Sequence, residues 1–518
     1  MKSQRIFLRL CRLIAVVLAI AAVFACNNKK PWTEADPEHW YKVTAEGREY
    51  VAAIEKVEGH KAYGYYYAAD GPTVAARQEF ELNYSRHKLM VTSDEGRLVL
   101  NPSKVTIEEL PTLPEFVPED ARLYRQPFCA VEIVDDVVYG HASGYWTSLP
   151  GVEAEVSKVF TDGFAKSFKR HDLDLTMDIY SPQGIEGPKP FILFVHGGAF
   201  YVGDKQEPAY RDFCIHYASM GYVCASINYR MGFHLGKGAI ERAAYMAVQD
   251  AHAAMRYIVA NADKYGIDKD RLFAAGSSAG SIAALNMAFM ADKDRPESSR
   301  GGSGFLKMHT ELGGIASSGN EIVAPFHVRA VANLWGAVSS VDILSNSKTD
   351  IISFHGDADE VVPYGEGLPF SMAGKLVAST LSDPMFGSEC IDAEARRLGL
   401  KSEFHPYPGK GHAFNTTGPD KQPNADHYQI RAAIDRFFFE EMVPANAKLR
   451  PAEGGWYEVV GDVDGVSWSV VGGFVMEVED RRIRILWRGD EPEHTVSATG
   501  RYLSGLGYLF NYEEPVGK

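Results

Sequence analysis

The segment Arg271-Leu272-Phe273-Ala274-Ala275-Gly276-Ser277-Ser278-Ala279-Gly280 leads directly into Ser281-Ile282-Ala283-Ala284-Leu285-Asn286-Met287, a strand-like apolar run followed at once by a helical one. Between the two lies G-x-S-x-G. A chain that passes from strand to helix in so few residues turns sharply, which holds the central serine in strained backbone and crowds its neighbours. Small residues are therefore required at 276 and 280, and glycine stands at both. The Ser278 hydroxyl is predicted to project above a sheet edge. Since an unassisted hydroxyl is a weak nucleophile, the same pattern demands a base for its proton and donors for an oxyanion.

Both have candidates in the sequence. Phe191-Ile192-Leu193-Phe194-Val195 is a predicted strand that ends in His196-Gly197-Gly198-Ala199-Phe200, where glycines let backbone N–H groups approach a ligand. A second strand, Ile351 to Phe354, is followed by His355-Gly356-Asp357-Ala358-Asp359-Glu360-Val361-Val362-Pro363, with carboxylates just past its end. Gly409-Lys410-Gly411-His412-Ala413-Phe414 then places an imidazole in a glycine-flanked loop. Serine, acid and histidine thus follow in the order of a known catalytic triad. Spacing alone permits either Asp357 or Asp359 as the acid. His196, His355, His405 and His427 read as structural or surface residues.

Outward from these motifs, apolar strands alternate with helical stretches: Leu173 to Tyr180, Phe191 to Val195, Tyr222 to Ile227, Leu272 to Ala275, Val328 to Leu334, Ile351 to Phe354 and Ser402 to Tyr407. Strands that alternate with helices imply parallel pairing through crossovers, so residues 151–444 are expected to form an α/β domain with a mostly parallel central sheet and helices on both faces. Ala239 to Lys264 and His427 to Met442 carry the apolar spacing of packed amphipathic helices. Two long excursions, Ala291 to His327 and the stretch after Pro363, are expected over the pocket. Residues 32–150 and 450–518 read as two separate small β-rich domains; in the first, Lys88 to Thr92 and Arg97 to Leu100 flank Glu95-Gly96 as a hairpin.

The N-terminus sets the compartment. Lys2, Arg5, Arg9 and Arg12 precede the apolar run Leu13 to Phe24, too short to span a bilayer, so residues 1–25 are expected to be an export signal. Val23-Phe24-Ala25-Cys26 resembles a bacterial lipobox, in which Cys26 would become the acylated first residue and anchor the protein to a membrane, at the periplasm or cell surface. Of the later cysteines, Cys129, Cys214, Cys224 and Cys390, spacing pairs none, and Cys224 reads as a buried thiol within an apolar run. A net charge of −15 with no basic stripe argues against a nucleic-acid partner. No Cys/His spacing points to a metal, and no cofactor is expected.

These motifs together resemble the α/β-hydrolase superfamily, near the H-G-G esterases and lipases that include hormone-sensitive-lipase-like and feruloyl- or acetyl-ester hydrolases. The resemblance covers roughly Ala154 to Val443 and extends to Gly203-Asp204-Lys205, Asn228-Tyr229-Arg230 and Gly387-Ser388. It departs from the pattern at H-G-G-A, which lacks a third glycine, and at Ser277, where cholinesterase-like enzymes carry an acid. It implies an oxyanion hole from the N–H groups of Gly198, Ala199 and Ala279. It also favours Asp359 over Asp357, because in H-G-x-x-D-x-x-V-P the acid falls four residues after the histidine. The implied activity is carboxylic-ester hydrolysis through an acyl-enzyme of Ser278, His412 and Asp359, on small-molecule or glycan esters outside the cytoplasm. Two alternatives remain open at this point: a prolyl-oligopeptidase-like peptidase, whose acid motif is shared, and a surface lipoprotein that uses the fold as a scaffold.

Overall fold

The computed structural model describes residues 40–513 apart from 46–47, 59–60, 69–72, 75–77, 86–87, 94–95, 101–104, 115–122, 150–168, 234–237, 302–309, 419, 443–447, 462 and 502–506. The expected signal, residues 1–25, and Cys26 lie outside the described residues. The chain divides into two compact units, one of residues 122–443 and one that joins residues 1–121 to 444–518.

The first unit is built on eight strands, numbered here within the unit: β1 (Val131–Gly144), β2 (His171–Pro182), β3 (Lys189–Val195), β4 (Val223–Ile227), β5 (Ile267–Ser277), β6 (Val328–Leu334), β7 (Asp350–Gly356) and β8 (Ser402–Tyr407). Their order across the sheet is β1-β2-β4-β3-β5-β6-β7-β8. The contacts of β2 with β1 and β4 are antiparallel, whereas β3 through β8 pair parallel. That is the order and polarity of the α/β-hydrolase fold. Every residue of β3 and β4 is buried, as expected of central strands covered on both sides.

The two faces are covered by different helices. Phe191, Leu193, Val195, Leu272 and Ala274 face a core shared with α2 (Ala239–Ala260), α3 (Ala279–Phe289) and α4 (Ser388–Arg397). The alternate residues point the other way: Phe194 stacks on Phe213 of α1 (Pro208–Ser219), and Phe273 on Phe438 of α5 (Ala425–Met442). The period of two along each strand therefore sorts side chains to both faces. The second excursion forms a small antiparallel sheet in which Met385–Gly387 pairs with Ala337–Val338 and with Glu366–Gly367.

The flanking segments differ from expectation in two ways. Val131–Gly144, read as part of an N-terminal β domain, is instead the edge strand of the hydrolase sheet. The remaining described N-terminal strands other than Thr73–Val74 form a seven-stranded sheet whose order runs from Gly96–Leu100 to Val105–Glu109, and they share a unit with the C-terminal strands. Val51 and Tyr67 pack with Phe474, Met476 and Leu486; Lys42 pairs with Glu477; and Thr73–Val74 adds to Arg482–Arg488. The described strands of the two flanks thus belong to one compact unit rather than two. Lys88–Ser93 and Gly96–Leu100 do pair as the expected hairpin. Cys129, Cys214, Cys224 and Cys390 are free thiols, with Cys224 fully buried.

Candidate active site

Ser278 stands between the end of β5 and the first residue of α3, at φ 53° and ψ −122°. Its N–H is fixed by the Leu334 carbonyl at 2.9 Å. The glycines around it are sterically necessary. A Cβ on Gly276 would lie 2.5 Å from the Gly280 carbonyl, and one on Gly280 would lie 2.0 Å from the Val195 carbonyl of β3. Gly280→Ala is accordingly expected to force the helix away from the sheet and to cost at least about 1–3 kcal/mol. Chemical denaturation would read this as a lower midpoint, and an unchanged midpoint would refute the packing argument.

The imidazole of His412 bridges Ser278 and Asp359. Its Nε2 lies 2.9 Å from Ser278 Oγ and its Nδ1 lies 2.7 Å from Asp359 Oδ2. Of the two aspartates after β7, Asp359 is therefore the one that reaches the ring. Its other oxygen accepts from the N–H groups of Val361 and Val362 at 2.8 and 3.0 Å. Burial would push this carboxyl up, but the hydrogen bonds from His355 and His412 outweigh it and hold the group well below the usual carboxylate range. Asp357 is occupied elsewhere, accepting from the Gly409 N–H at 2.6 Å.

That bond is one of several that lace the acid and histidine loops together. The Ala358 N–H donates to the Lys410 carbonyl, and a Cβ on Gly356 would lie 2.2 Å from that same oxygen. The glycine of the H-G motif thus admits the neighbouring loop. Behind His412, the Trp335 ring packs edge-on at 6.4 Å between centroids and is itself backed by Phe414.

The strand end of β3 supplies the opposite wall. Gly198, Ala199 and Phe200 all have positive φ, at 108°, 54° and 58°. Ala199 and Ala279 line the cavity beside Ser278, and Ala279 opens α3, where a helix N–H has no partner in the preceding turn. Gly198 is held by its carbonyl, which accepts from the N–H groups of Tyr201 and Val202. Tyr210 ties this loop to the serine turn: its hydroxyl accepts from the Gly197 N–H at 2.7 Å and lies 2.5 Å from Ser277 Oγ. His196 is fully buried, stacks on Tyr229 and holds Nδ1 2.8 Å from the Gly197 carbonyl, away from Ser278. Burial lowers its pKa. The loop is anchored further on by Lys205, buried against Asp178 at 2.5 Å, and by Asp204, which accepts from Ser148 and Asn228.

Over Ser278 opens a cavity of about 310 Å³. Phe200, Ile240, Ala244, Val248, Ile282 and Met290 form much of its wall, with Val361 from the acid loop and Pro369, Phe370 and Met385 from the second excursion. No local spacing marks Tyr210, Asn333 or Trp335 as site residues in the sequence, whereas His355 stands four residues before Asp359 in the acid motif and Ser388 belongs to Gly387-Ser388, with nothing there to show that the two meet. Among the described residues, no group of three or more His, Cys, Asp or Glu side chains is arranged to hold a metal ion.

The chain is similar to known esterases. The BD-FAE family model matches residues 177–373. Gut esterase 1 of Caenorhabditis briggsae is 31% identical over 118 residues, covering 22% of this chain and 21% of that protein. Para-nitrobenzyl esterase of Bacillus subtilis is 32% identical over 162 residues, 30% of this chain and 31% of its own length. A probable isoprenylcysteine alpha-carbonyl methylesterase of Oryza sativa subsp. japonica is 28% identical over 261 residues, 46% of this chain and 53% of that one. The chain thus spans between about a fifth and a half of the length of these curated relatives. Thermogutta terrifontis esterase 2 aligns at 20% identity with a TM-score of 0.36, covering 52% of this chain and 90% of that one; the fold assignment rests on the strand order, not on that overlap. With the elbow, the H-G-G strand end and the strand order in place, the unit of residues 122–443 has the α/β-hydrolase fold, and the chain is similar to esterases.

Proposed function

We propose that the chain is a serine carboxylic-ester hydrolase that works through an acyl-enzyme. The observation that carries this reading is the unbroken Ser278–His412–Asp359 hydrogen-bond chain beneath an apolar cavity. With Nδ1–H donated to Asp359, His412 presents Nε2 as the acceptor for the Ser278 proton. Ser278 Oγ then attacks the ester carbonyl carbon, and the carbonyl oxygen gains charge towards the N–H groups of Ala199, Ala279 and Gly198. As the tetrahedral centre collapses, His412 gives its proton to the departing alcohol oxygen. A water repeats the sequence in reverse roles, losing its proton to His412 and releasing the acid from Ser278. Asp359 remains ionised and stabilises the imidazolium that forms at each step.

The apolar wall supports an acyl group of several carbons. If the acyl chain occupies this cavity, each added methylene contributes about 0.8 kcal/mol. The two that separate butyrate from acetate are expected to raise kcat/KM roughly tenfold on p-nitrophenyl esters. Equal rates for the two esters would remove the cavity from the acyl side. A panel of simple aryl esters beside acetylated and feruloylated sugars tests the substrate class, including the extracytoplasmic glycan esters that we propose as natural substrates.

The extracytoplasmic setting is supported by the charge and hydropathy pattern of residues 2–24 and by the lipobox-like Val23 to Cys26. Incorporation of a clickable palmitate into the wild type, lost in Cys26→Ser, is the expected result for a lipid-anchored protein. A wild type that takes up no label would overturn the anchor and leave the esterase reading intact.

A further inference from the structure

Beneath the Ser278–His412–Asp359 chain runs a second line of polar side chains. Ser281 of α3, Asn333 of β6, Ser353 and His355 of β7 and Ser388 of α4 are all fully buried. The orientation of the Asn333 amide is fixed by one contact. The Gly336 N–H can only donate and lies 2.9 Å from Oδ1, so that atom is the acceptor and also takes the Ser281 hydroxyl at 2.5 Å. The amide nitrogen therefore faces the other way, 3.0 Å from both Ser353 Oγ and Ser388 Oγ, with one proton for each. Ser388, having accepted from Asn333, still has its own proton to donate, and His355 Nδ1 lies 2.8 Å away. An accepting Nδ1 in a neutral ring leaves the proton on Nε2. That nitrogen faces Asp359 Oδ2 at 3.3 Å and the Val362 carbonyl at 3.2 Å, both of them acceptors.

We propose that Asn333 and Ser388 hold His355 as its Nε2–H tautomer, and that this N–H is the second donor to the Asp359 oxygen that orients His412. Ser388 and His355 are then positioning residues for the triad, a role that rests on the esterase reading above. The choice of a hydroxyl at 388 follows from the same logic. A backbone carbonyl facing Nδ1 would demand a proton there, and a neutral ring would then turn an Nε2 lone pair towards a carboxylate. A doubly protonated ring fits no better. Ser388 would accept from both Asn333 and His355, and its own buried proton would be left without an acceptor, which is costly. Of the three forms, only the Nε2–H ring gives the Ser388 proton an acceptor and places a proton between Nε2 and the acceptors it faces. Asp359 then receives Val361 and Val362 on one oxygen and His412 on the other, where the His355 N–H is shared with the Val362 carbonyl.

The tautomer is readable without any substrate. In protein labelled with 15N-histidine, the ring whose signals vanish in His355→Gln is expected to show a protonated Nε2 and an unprotonated Nδ1; an Nδ1–H signal from that ring overturns the proposal. The positioning role is read on one p-nitrophenyl ester with three variants. Ser388→Ala is expected to lower kcat about tenfold, the scale of one hydrogen bond to a charged group, with KM little changed. Ser388→Thr, which keeps the hydroxyl, is expected to restore most of it. Ser353→Ala removes the other acceptor of Asn333 without touching His355 and is expected to lose far less. Equal losses in Ser353→Ala and Ser388→Ala would show general packing and sink the positioning role. A wild type that forms no adduct with a fluorophosphonate fails the esterase reading instead, and leaves the tautomer measurement standing.

Discussion

Ser278→Ala is expected to reduce turnover of any carboxylic ester by on the order of 10⁶ and to abolish covalent labelling by a fluorophosphonate. The size of the effect follows from how completely the site is built around one atom. The elbow holds Ser278 at φ 53°, its N–H is pinned by Leu334, and His412 Nε2 lies 2.9 Å from its Oγ. The adjacent hydroxyl cannot substitute. Ser277 Oγ is bound to Tyr210 at 2.5 Å, on the side of the turn that ties the H-G-G loop. Removing Oγ leaves the backbone turn, the glycine contacts and the cavity unchanged, so the variant should fold and bind ester while losing the bond-forming atom. The residual rate would come from the oxyanion donors and the cavity alone. Persistent labelling in Ser278→Ala, mapped to another residue, would remove Ser278 as the nucleophile.

What the sequence made legible, and what it hid, divides along physical lines. The central strands were readable because a parallel sheet covered on both faces needs near-continuous apolar runs, as in Phe191 to Val195. The edge strand Val131–Gly144 was not, because its first half alternates half-buried and exposed positions and resembles the β-rich flank beside it. The union of the two flanks in one compact unit was equally hidden. The packing of Tyr67 against Phe474 joins residues some four hundred positions apart, and no local pattern encodes such a partner. In the site, Ser278 and His412 sit on loops whose glycines advertise the geometry. His355 is marked in the sequence only as the first residue of the acid motif; its link through Ser388 to Asn333, which arrive from α4 and β6, has no local signal.

Asp359→Asn is expected to lower kcat by about 10⁴ with KM and fold little changed, the scale of loss when a triad aspartate is made an amide. The reason is the identity of the proton donor at Asp359 Oδ2. A carboxylate oxygen there accepts the Nδ1–H of His412 at 2.7 Å and leaves Nε2 free to take the serine proton. Oδ1 is committed to the Val361 and Val362 N–H groups, so an asparagine would keep its oxygen on them and turn its NH₂ towards His412. A donor at that position makes Nδ1 the acceptor, moves the ring proton to Nε2 and blocks proton abstraction from Ser278. Asp357→Asn is a sharp contrast two residues away. Its Oδ1 accepts from the Gly409 N–H, and an amide oxygen can accept the same bond, so the histidine loop stays in place. The loss there should stay within about tenfold, the equivalent of weakening one hydrogen bond to a charged group. Because both variants remove one negative charge from the same loop, the difference between them isolates the tautomer effect from the change in field at the imidazole. Comparable losses, measured as kcat on a single p-nitrophenyl ester, would mean that charge near His412 matters and its orientation by Asp359 does not.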